Sequence, residues 1–497
     1  MKIKMRNIAI GLIGGVLSLT PGCSSDYLET NPSTSVSESL VGSSIENLYM
    51  AINGIHRKMV SQDRGIQALG GYPGFMICLD SSADDMTWAQ NNTYQTTLQW
   101  QEQWSPESAF TKAIWQTYYE FILNANLILS YVDRFENSTP TLFRAVKGEA
   151  LCFRAFGHFM LVQMYGSRYV AGAENTQPGV PYRLKSTSEE MPRNSVEACY
   201  TLILQDLDAA IALLEGYKPK TISHYSQSVA YGLKARVTLA QQNYAEAALS
   251  AGEAIREAES NGFVLMSGDE LYNGFSNIST TTKEALWAAL TLDDQTVNYY
   301  SFYSFMSWNY NSEPVRTGAK QISSSTYQKM SATDLRRLWW DEKGTLPLPS
   351  SSFTAYPYSV RKFKSRSEGD AVGNVAFMRL SELYLTQAEA YARNGQEELA
   401  RNTLNKWIIT RDPGYQSTNS GSALIEEIMT HRRIELWGEG FRFFDLKRLN
   451  LPLTRTGSNF NPGFCMVTEI PASDPRWQWA IPQDEIDANP LIIQNIY

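Results

Sequence analysis

Apolar residues recur at helical spacing along most of the chain, a pattern that predicts a mostly helical protein. Four segments show this spacing most clearly: residues 44–60, 110–135, 145–166 and 195–216. Ser44 and Ser195 stand where an N-cap is expected, because a Ser side chain can accept a hydrogen bond from the first turn of a helix. Gly166 and Gly216 stand where the third and fourth segments should end.

Two further segments, residues 231–255 and 384–408, have the same internal layout. Each predicts two helices joined by a short turn, with small residues spaced so that the helices can approach closely. These residues are Ala235 and Ala247 in the first segment and Ala388 and Ala400 in the second. The layout resembles a tetratricopeptide hairpin, although any Ala-rich amphipathic hairpin gives this pattern. Segments 145–166 and 195–216 could form another hairpin, and such units predict a scaffold or docking surface without chemistry of its own.

Strand patterns are few, so β structure is expected to be minor. Residues 284–292 and 359–365 are the best candidates. Phe302 and Phe305 repeat at helical spacing and are predicted to pack in the core, as is the aromatic cluster at residues 337–341.

Composition and charge exclude some classes of partner. At 497 residues and 43% hydrophobic content, the chain is long enough for a large core. The formal net charge is −8 and no run of Lys and Arg stands out, which argues against nucleic acid or an anionic membrane surface as the main partner. Aromatic residues make up 12% of the chain, and they can serve either the core or ligand contacts.

Residues 1–22 have the features of a secretory signal. They carry basic residues but no acid, and an apolar run over residues 8–19 is too short to span a bilayer. Cys23 follows directly and resembles the lipidated cysteine of a bacterial lipoprotein, although Thr20 stands where such signals usually have Leu. An ordinary secretory signal followed by a chance Cys is the alternative. Residues 23–43 are rich in Ser, Thr, Asn and Pro, which predicts a flexible tether.

Apart from Cys23, the chain has four widely spaced cysteines and no CxxC motif. They are Cys78, Cys152, Cys199 and Cys465. Export would permit disulfides, but this spacing requires none.

No known catalytic or metal-binding motif occurs in the sequence. The histidines are His56, His158, His224 and His431. None belongs to an HExxH motif, and neither GxSxG nor P-loop spacing is present. No set of His, Cys and Asp has metal-ligand spacing, so no cofactor or metal is expected, and calcium held by loop acids has no support. A two-carboxylate glycosidase is an alternative; it would need Asp84 or Asp85 about 5–9.5 Å from Glu102 across a cleft.

Residues 425–448 predict a structural clamp of buried charges. Arg432 falls on an otherwise apolar helical stripe, and a buried charge without a partner is very costly. Glu435, Glu439 and Asp445 are within reach of a corner at the Gly-Glu-Gly break. We expect these four residues to form an ion-pair network, with an active site as the minor alternative.

Several stretches resemble the SusD-like (RagB/SusD) family of outer-membrane lipoproteins. "RRIELWGEGFRFFDLKR" (432–448) resembles the family's ERR.EL..EG.R..DL.R signature, and "WAIPQDEIDANPLIIQNIY" (479–497) resembles its ending. "GEALCFRAFGHFMLVQMYG" (148–166) and "LILQDLDAAIALL" (202–214) resemble its N-terminal half, and "CSSDYLETNPSTSVS" (23–37) its usual start. "YGSRYV" departs from a Gly-Asp-x-Pro turn that is frequent in the family.

The resemblance implies a mostly α fold in which residues 44–497 form one SusD-like domain with tetratricopeptide-type hairpins and minor β structure. It implies a lipid-anchored protein on the outer face of the outer membrane of Bacteroidetes, where it binds a nutrient glycan and delivers it to a SusC-like TonB-dependent transporter. Such proteins bind ligand in loops and catalyse nothing. A family member of this architecture can instead bind peptide or another nutrient.

Two stretches mix aromatic and polar residues in the way that sugar binding requires. Aromatic faces pack on the C–H face of a sugar at about 0.5–1.5 kcal/mol each, so a few stacks give roughly millimolar to micromolar affinity. The candidates are Asp84, Trp88, Asn91, Trp100 and Trp104 in residues 80–104, and Trp308, Asn309 and Tyr310 in residues 299–313. Trp88 and Trp100 could instead anchor their loop. A purely helical adaptor without a small ligand is a further alternative.

Overall fold

The structure is a computed structural model that describes residues 38–61, 66, 69–90, 93–276, 278, 282–293 and 298–495. The predicted signal, Cys23 and most of the predicted tether lie outside these residues, as does Asn91.

Helices dominate the described chain, which confirms the predicted fold class. They are α1 (Glu38–Val41), α2 (Ile45–Lys58), α3 (Gly71–Ser81), α4 (Gln95–Leu98), α5 (Ala109–Val132), α6 (Pro140–Tyr165), α7 (Val196–Leu213), α8 (Gln227–Ala240), α9 (Tyr244–Ser260), α10 (Glu270–Asn273), α11 (Tyr303–Met306), α12 (Glu313–Arg316), α13 (Ser324–Tyr327), α14 (Leu380–Arg393), α15 (Glu397–Ile408), α16 (Gly421–Glu435), α17 (Arg442–Arg448), α18 (Pro462–Cys465) and α19 (Gln483–Ala488). Among the residues that the structure describes, no helix is long and apolar enough to cross a membrane.

The strands are short and form small sheets. They are β1 (Met86–Trp88), β2 (Ala285–Ala288), β3 (Lys320–Ile322), β4 (Trp340–Asp341), β5 (Ser359–Val360), β6 (Ala376–Arg379), β7 (Leu453–Thr454) and β8 (Glu469–Ile470). Four of them form an antiparallel sheet in the order β1-β3-β5-β4, while β2 pairs with β6 and β7 with β8. The two predicted strand segments therefore contain β2 and β5, although β5 is much shorter than predicted.

The four clearest helix predictions correspond to α2, α5, α6 and α7. Ser44 Oγ accepts a hydrogen bond from Asn47 N–H at 3.2 Å, and Ser195 Oγ accepts one from Ala198 N–H at 3.1 Å. Gly166 follows the last residue of α6. One boundary differs, because α1 begins within the segment predicted as a tether, and Val41 packs against the core.

The two hairpin segments form α8–α9 and α14–α15, and α9 packs directly against α14. The four alanines that suggested the hairpins are fully buried at these helix contacts. Helices α5, α6 and α7 pack in the same antiparallel sequence. These helices form one packed group through successive contacts of α5 with α6, α6 with α7, α7 with α8, α8 with α9, α9 with α14 and α14 with α15.

The four-stranded sheet joins segments from distant parts of the sequence. Register pairs Trp88 with Lys320, and Gln321 with Ser359. The loops that extend from these strands include residues 89–90, 93–94, 308–319 and 342–358, so the sheet brings the two predicted ligand-binding stretches to one region.

The remaining core predictions are confirmed. Phe302, Phe305, Trp339 and Trp340 are all buried. The four cysteines after Cys23 are buried free thiols.

Candidate functional site

Trp308 lies where three loops meet beside the four-stranded sheet. Its indole is half-buried, and the guanidinium of Arg361 lies over the ring at 4.6 Å from the centroid. Arg361 is held in place by Asp341 at 3.4 Å and by the carbonyl groups of Leu346 and Pro347 at 3.3 and 3.0 Å. Because these contacts fix the cation, Trp308 is presented on a rigid support, as a stacking platform requires.

The loops that surround Trp308 and Arg361 carry further aromatic and polar groups. Gln90 Nε2 donates to the Tyr356 hydroxyl at 2.8 Å, which ties the loop after β1 to the loop before β5, whose carbonyl groups also hold Arg361. Tyr299 is 64% exposed. Tyr310 is only 4% exposed, so its prediction as a ligand-binding residue is wrong; burial raises its pKa, with a smaller contribution from the nearby Tyr299. We call the set Gln90, Tyr299, Trp308 and Tyr356 the aromatic loop surface.

Trp88 and Trp100 are loop anchors in this structure, not surface groups. They are 1% and 0% exposed. Trp88 packs beneath Lys320 in the sheet, and Trp100 donates from Nε1 to the Ser82 carbonyl at 2.8 Å and packs edge-on against Trp477. Neither indole presents a face to solvent, so we leave both out of the aromatic loop surface. Their burial follows from a tertiary fold that the local sequence did not reveal.

The other candidates differ in exposure. Trp104 is 51% exposed on the loop before α5. Asn309 is buried and exchanges hydrogen bonds with Ser365, donating to its carbonyl at 3.1 Å and accepting from its N–H at 2.8 Å. Asn309 thus aligns the chain beside Trp308 instead of facing outward. Asp84 is buried in an ion pair described below.

The residues of the predicted clamp are divided between two buried charge clusters. The central cluster consists of Glu284, Lys362, Arg379, Arg411, Glu435 and Glu439. In it, Arg379 reaches Glu284 at 2.5 Å, Glu435 at 2.9 Å and Glu439 at 2.6 Å. Burial alone would raise the pKa of Glu435, but Arg411 and Arg379 lower it well below its usual range.

The other half of the predicted network forms a second cluster next to α14. Arg432 pairs with Asp445 at 2.9 Å, and Arg448 bridges Asp445 and Glu389 at 2.8 and 2.7 Å. The expectation of a single network through Arg432, Glu435, Glu439 and Asp445 is therefore corrected to two clusters. Arg432 and Glu435 lie on α16, and their side chains contact different neighbours.

A third cluster explains the carboxylates that were considered for catalysis. Arg442 binds Asp84 at 2.7 Å and Arg433 binds Asp85 at 2.6 Å, and all four side chains are largely buried. Burial opposes ionisation, but Arg433 and Arg442 lower the pKa of Asp85 to about 2. Glu102 accepts a hydrogen bond from Ser108 at the start of α5. The ion pairs with Arg433 and Arg442 join residues 84–85 to the signature segment at residues 432–448.

Two lone buried charges have strongly shifted pKa values. Burial raises the pKa of Asp80 to about 7, although the N–H groups of Gly440 and Arg442 donate to its carboxylate at 3.1 and 3.4 Å. Burial lowers the pKa of Lys320 to about 7, and its Nζ reaches only the Gly318 carbonyl at 3.4 Å. Both groups lie inside the protein, so their shifts are consequences of folding, not signs of a catalytic cleft.

Two family profiles match consecutive parts of the chain. Residues 26–239 match a SusD-like profile described as "Starch-binding associating with outer membrane", and residues 267–497 match the profile of the SusD family. A search of curated proteins found no significant match.

Solved structures with this fold cover nearly the whole chain. A Bacteroides vulgatus protein described as sugar-binding is 25% identical with a TM-score of 0.75, covering 91% of this chain and 98% of that one. A SusD superfamily protein of the same species is 22% identical with a TM-score of 0.79, covering 91% and 98%. A SusD superfamily protein of Bacteroides thetaiotaomicron is 22% identical with a TM-score of 0.75, covering 91% and 100%. The signature motifs, the two consecutive profiles and the shared fold together show that this chain belongs to the SusD family.

Proposed function

We propose that this protein binds a nutrient glycan at the aromatic loop surface and delivers it to a SusC-like TonB-dependent transporter. The observation that carries the proposal is the meeting of three loops around Trp308, which lies fixed over Arg361. One matched family is described as starch-binding and one relative as sugar-binding, and both descriptions support a glycan over a peptide.

The surface has the two kinds of group that a sugar needs. Trp308 and Tyr299 offer aromatic faces for the C–H side of a sugar ring, and Gln90 and the Tyr356 hydroxyl offer hydrogen-bond partners for its hydroxyl rim. We propose that a polymer lies across these groups. Weak binding suits a protein that must release its ligand to a transporter.

The same proposal places the protein at the outer membrane. A lipid on Cys23 would hold the mature chain at the membrane, since each buried methylene contributes about 0.8 kcal/mol. The helical hairpins would face the transporter, because stacked hairpins present an extended docking surface on the side away from the aromatic loop surface.

The buried carboxylates favour binding over hydrolysis. A glycosidase needs one protonated and one ionised carboxyl group facing each other across the substrate. Asp84 and Asp85 instead lie against Arg442 and Arg433, which bind them in buried structural ion pairs. We therefore propose a binding protein without catalytic activity.

The test is affinity gel electrophoresis of the lipid-free mature chain, from residue 24 onward, against plant, host and microbial polysaccharides. Heat-treated protein is the control, and released sugars are assayed in the same tubes. Retardation by one polymer without cleavage supports the proposal. Retardation by none contradicts glycan binding by the isolated chain and shifts weight to a peptide, and sugar release would contradict the binding-only role.

A further inference from the structure

His56, Glu149 and His224 converge inside the helical part of the molecule, away from the aromatic loop surface. His56 Nε2 lies 3.0 Å from Glu149 Oε2, and His224 Nδ1 lies 2.9 Å from the same oxygen. One candidate ligand atom from each residue lies within 4.8 Å of the other two. Two of the four histidines in the chain thus meet at one carboxylate.

The triad is enclosed. Glu149 is fully buried, and both histidines are nearly so. The Tyr217 hydroxyl donates to Glu149 Oε1 at 3.4 Å, and Tyr225 N–H donates to Oε2 at 3.2 Å.

Glu149 differs from the carboxylates of the central cluster in the source of its compensating charge. Glu435 and Glu284 lie against guanidinium groups, but no Lys or Arg among the described residues forms an ion pair with Glu149. A buried carboxylate needs a positive partner, because an uncompensated charge in the interior is very costly. The partners of Glu149 among the described residues are instead the two imidazoles, the Tyr217 hydroxyl and the Tyr225 N–H.

Three separate elements hold the triad in place. His56 is in the last turn of α2, Glu149 is in α6, and His224 is in the loop before α8. That loop is fixed to β2, since Ala288 N–H donates to the Ile222 carbonyl at 3.0 Å and Trp287 Nε1 donates to the Ser223 carbonyl at 3.1 Å. The arrangement is therefore set by tertiary structure before any ligand binds.

We propose that His56, Glu149 and His224 bind a divalent transition-metal ion, with zinc the best match. Zinc favours imidazole and carboxylate ligands at about 2.0–2.2 Å, which puts neighbouring ligand atoms about 3 Å apart, as the His–Glu distances here are. The Tyr217 hydroxyl or a water would complete four-coordination. On binding, each imidazole would present an unprotonated ring nitrogen to the ion and keep one proton on its other ring nitrogen, with any second proton released to solvent, and the ion would compensate the charge on Glu149.

Such an ion would have a structural role. It would fasten α2, the first long helix of the mature chain, to α6 and to the start of the α8–α9 hairpin. Binding of a metal to the folded state alone stabilises it by mass action. The site could not be predicted from the sequence, because His56 and His224 lie 93 and 75 residues from Glu149 and belong to no local motif.

The test uses the mature chain from residue 24 onward after exhaustive dialysis against a chelator. Zinc is then titrated calorimetrically, and zinc X-ray absorption is recorded at one equivalent. We expect one bound zinc ion with scattering from two imidazoles, and a higher Tm with zinc than without. Absence of specific zinc binding, or a spectrum without imidazole scattering, would overturn the proposal without reliance on any variant.

Variants then assign the ligands. Glu149→Gln and His224→Gln should each weaken zinc binding by more than roughly 100-fold, since even the outer-sphere partners of a metal ligand contribute 10–100-fold. His431→Gln is the matched control, because His431 is buried elsewhere against Arg336 and should leave zinc binding unchanged. Equal affinity in all three variants would contradict the assignment.

Discussion

Removal of the charge on Glu435 tests whether the central cluster holds the fold together. Glu435 is fully buried, and its carboxylate lies 2.8 Å from Arg411, 2.9 Å from Arg379 and 3.5 Å from Arg336. Glu435→Gln keeps the shape and one carbonyl acceptor but removes the negative charge. The guanidinium groups are then left with excess positive charge in the interior, where removing one partner of a buried pair costs about 3–5 kcal/mol.

The expected change is measurable by two methods. Guanidinium unfolding followed by circular dichroism should show a free energy of unfolding lower by about 3–5 kcal/mol. An unfolding entropy of about 2.1 cal/mol/K per residue gives a chain of this size roughly 1 kcal/mol per degree, so Tm should fall by about 3–5 °C.

The matched control is Glu253→Gln on the surface of α9. Glu253 pairs with Arg256 at 2.8 Å, but both side chains are about half exposed, at 45% and 61%. Its loss should change the free energy of unfolding by less than about 1 kcal/mol. If Glu435→Gln destabilises the protein no more than Glu253→Gln does, the central cluster does not have the role assigned to it.

Three further predictions concern other buried features. Lys320→Met should raise the free energy of unfolding at pH 7 by roughly 2–4 kcal/mol, because burial lowers the pKa of Lys320 to about 7 and its Nζ reaches only one carbonyl, at 3.4 Å. Burial also lowers the pKa of Lys447 to about 7, but Lys447 Nζ donates to two carbonyls at 2.6 and 2.8 Å, so Lys447→Met should raise the free energy of unfolding less; an equal or larger gain for Lys447→Met in urea unfolding would contradict this. Gly440→Ala should lower the free energy of unfolding by about 1–3 kcal/mol, because the φ angle of Gly440 is +82° and the new Cβ would lie 2.9 Å from the Met76 Cα. An unchanged Tm would refute this prediction. Burial raises the pKa of Asp80 to about 7, so the contribution of Asp80 to the free energy of unfolding is full below about pH 4 and is lost as the pH rises to 7. The loss is at most about 1.4 kcal/mol per pH unit. Asp80→Asn should remove this pH dependence, and identical pH profiles of the variant and the wild type would show that Asp80 does not titrate in this way.

Helices and hairpins could be predicted from the sequence because their signals are local. The Ser44 cap and the paired alanines of residues 231–255 and 384–408 act within one or two turns, and the structure places them as expected. The overall fold was predicted from the resemblance of residues 432–448 and 479–497 to the SusD-like family.

Contacts between distant segments could not be predicted in this way. Arg379 and Arg411 reach Glu284 across 95 and 127 residues, and no spacing rule connects them. Trp88 and Trp100 stand among polar residues, which suggested exposure, yet the sheet and the C-terminal segment cover them. Trp308 was recognisable as an aromatic beside polar residues, but its contact with Arg361 and the hydrogen bond between Gln90 and Tyr356 arise only through the fold.

The central claim is that the aromatic loop surface binds a glycan, and the most direct measurement compares Trp308→Ala with Tyr231→Ala on one affinity gel. Both residues are half-buried aromatics, Tyr231 being on helix α8, and circular dichroism would first establish that each variant is folded. With the polysaccharide that retards the wild-type chain, Trp308→Ala should lose about 3- to 10-fold in affinity, as expected for one aromatic stack of about 0.5–1.5 kcal/mol, and Tyr231→Ala should match the wild type. Full retardation of Trp308→Ala, or loss of retardation in Tyr231→Ala alone, would contradict the placement of the ligand.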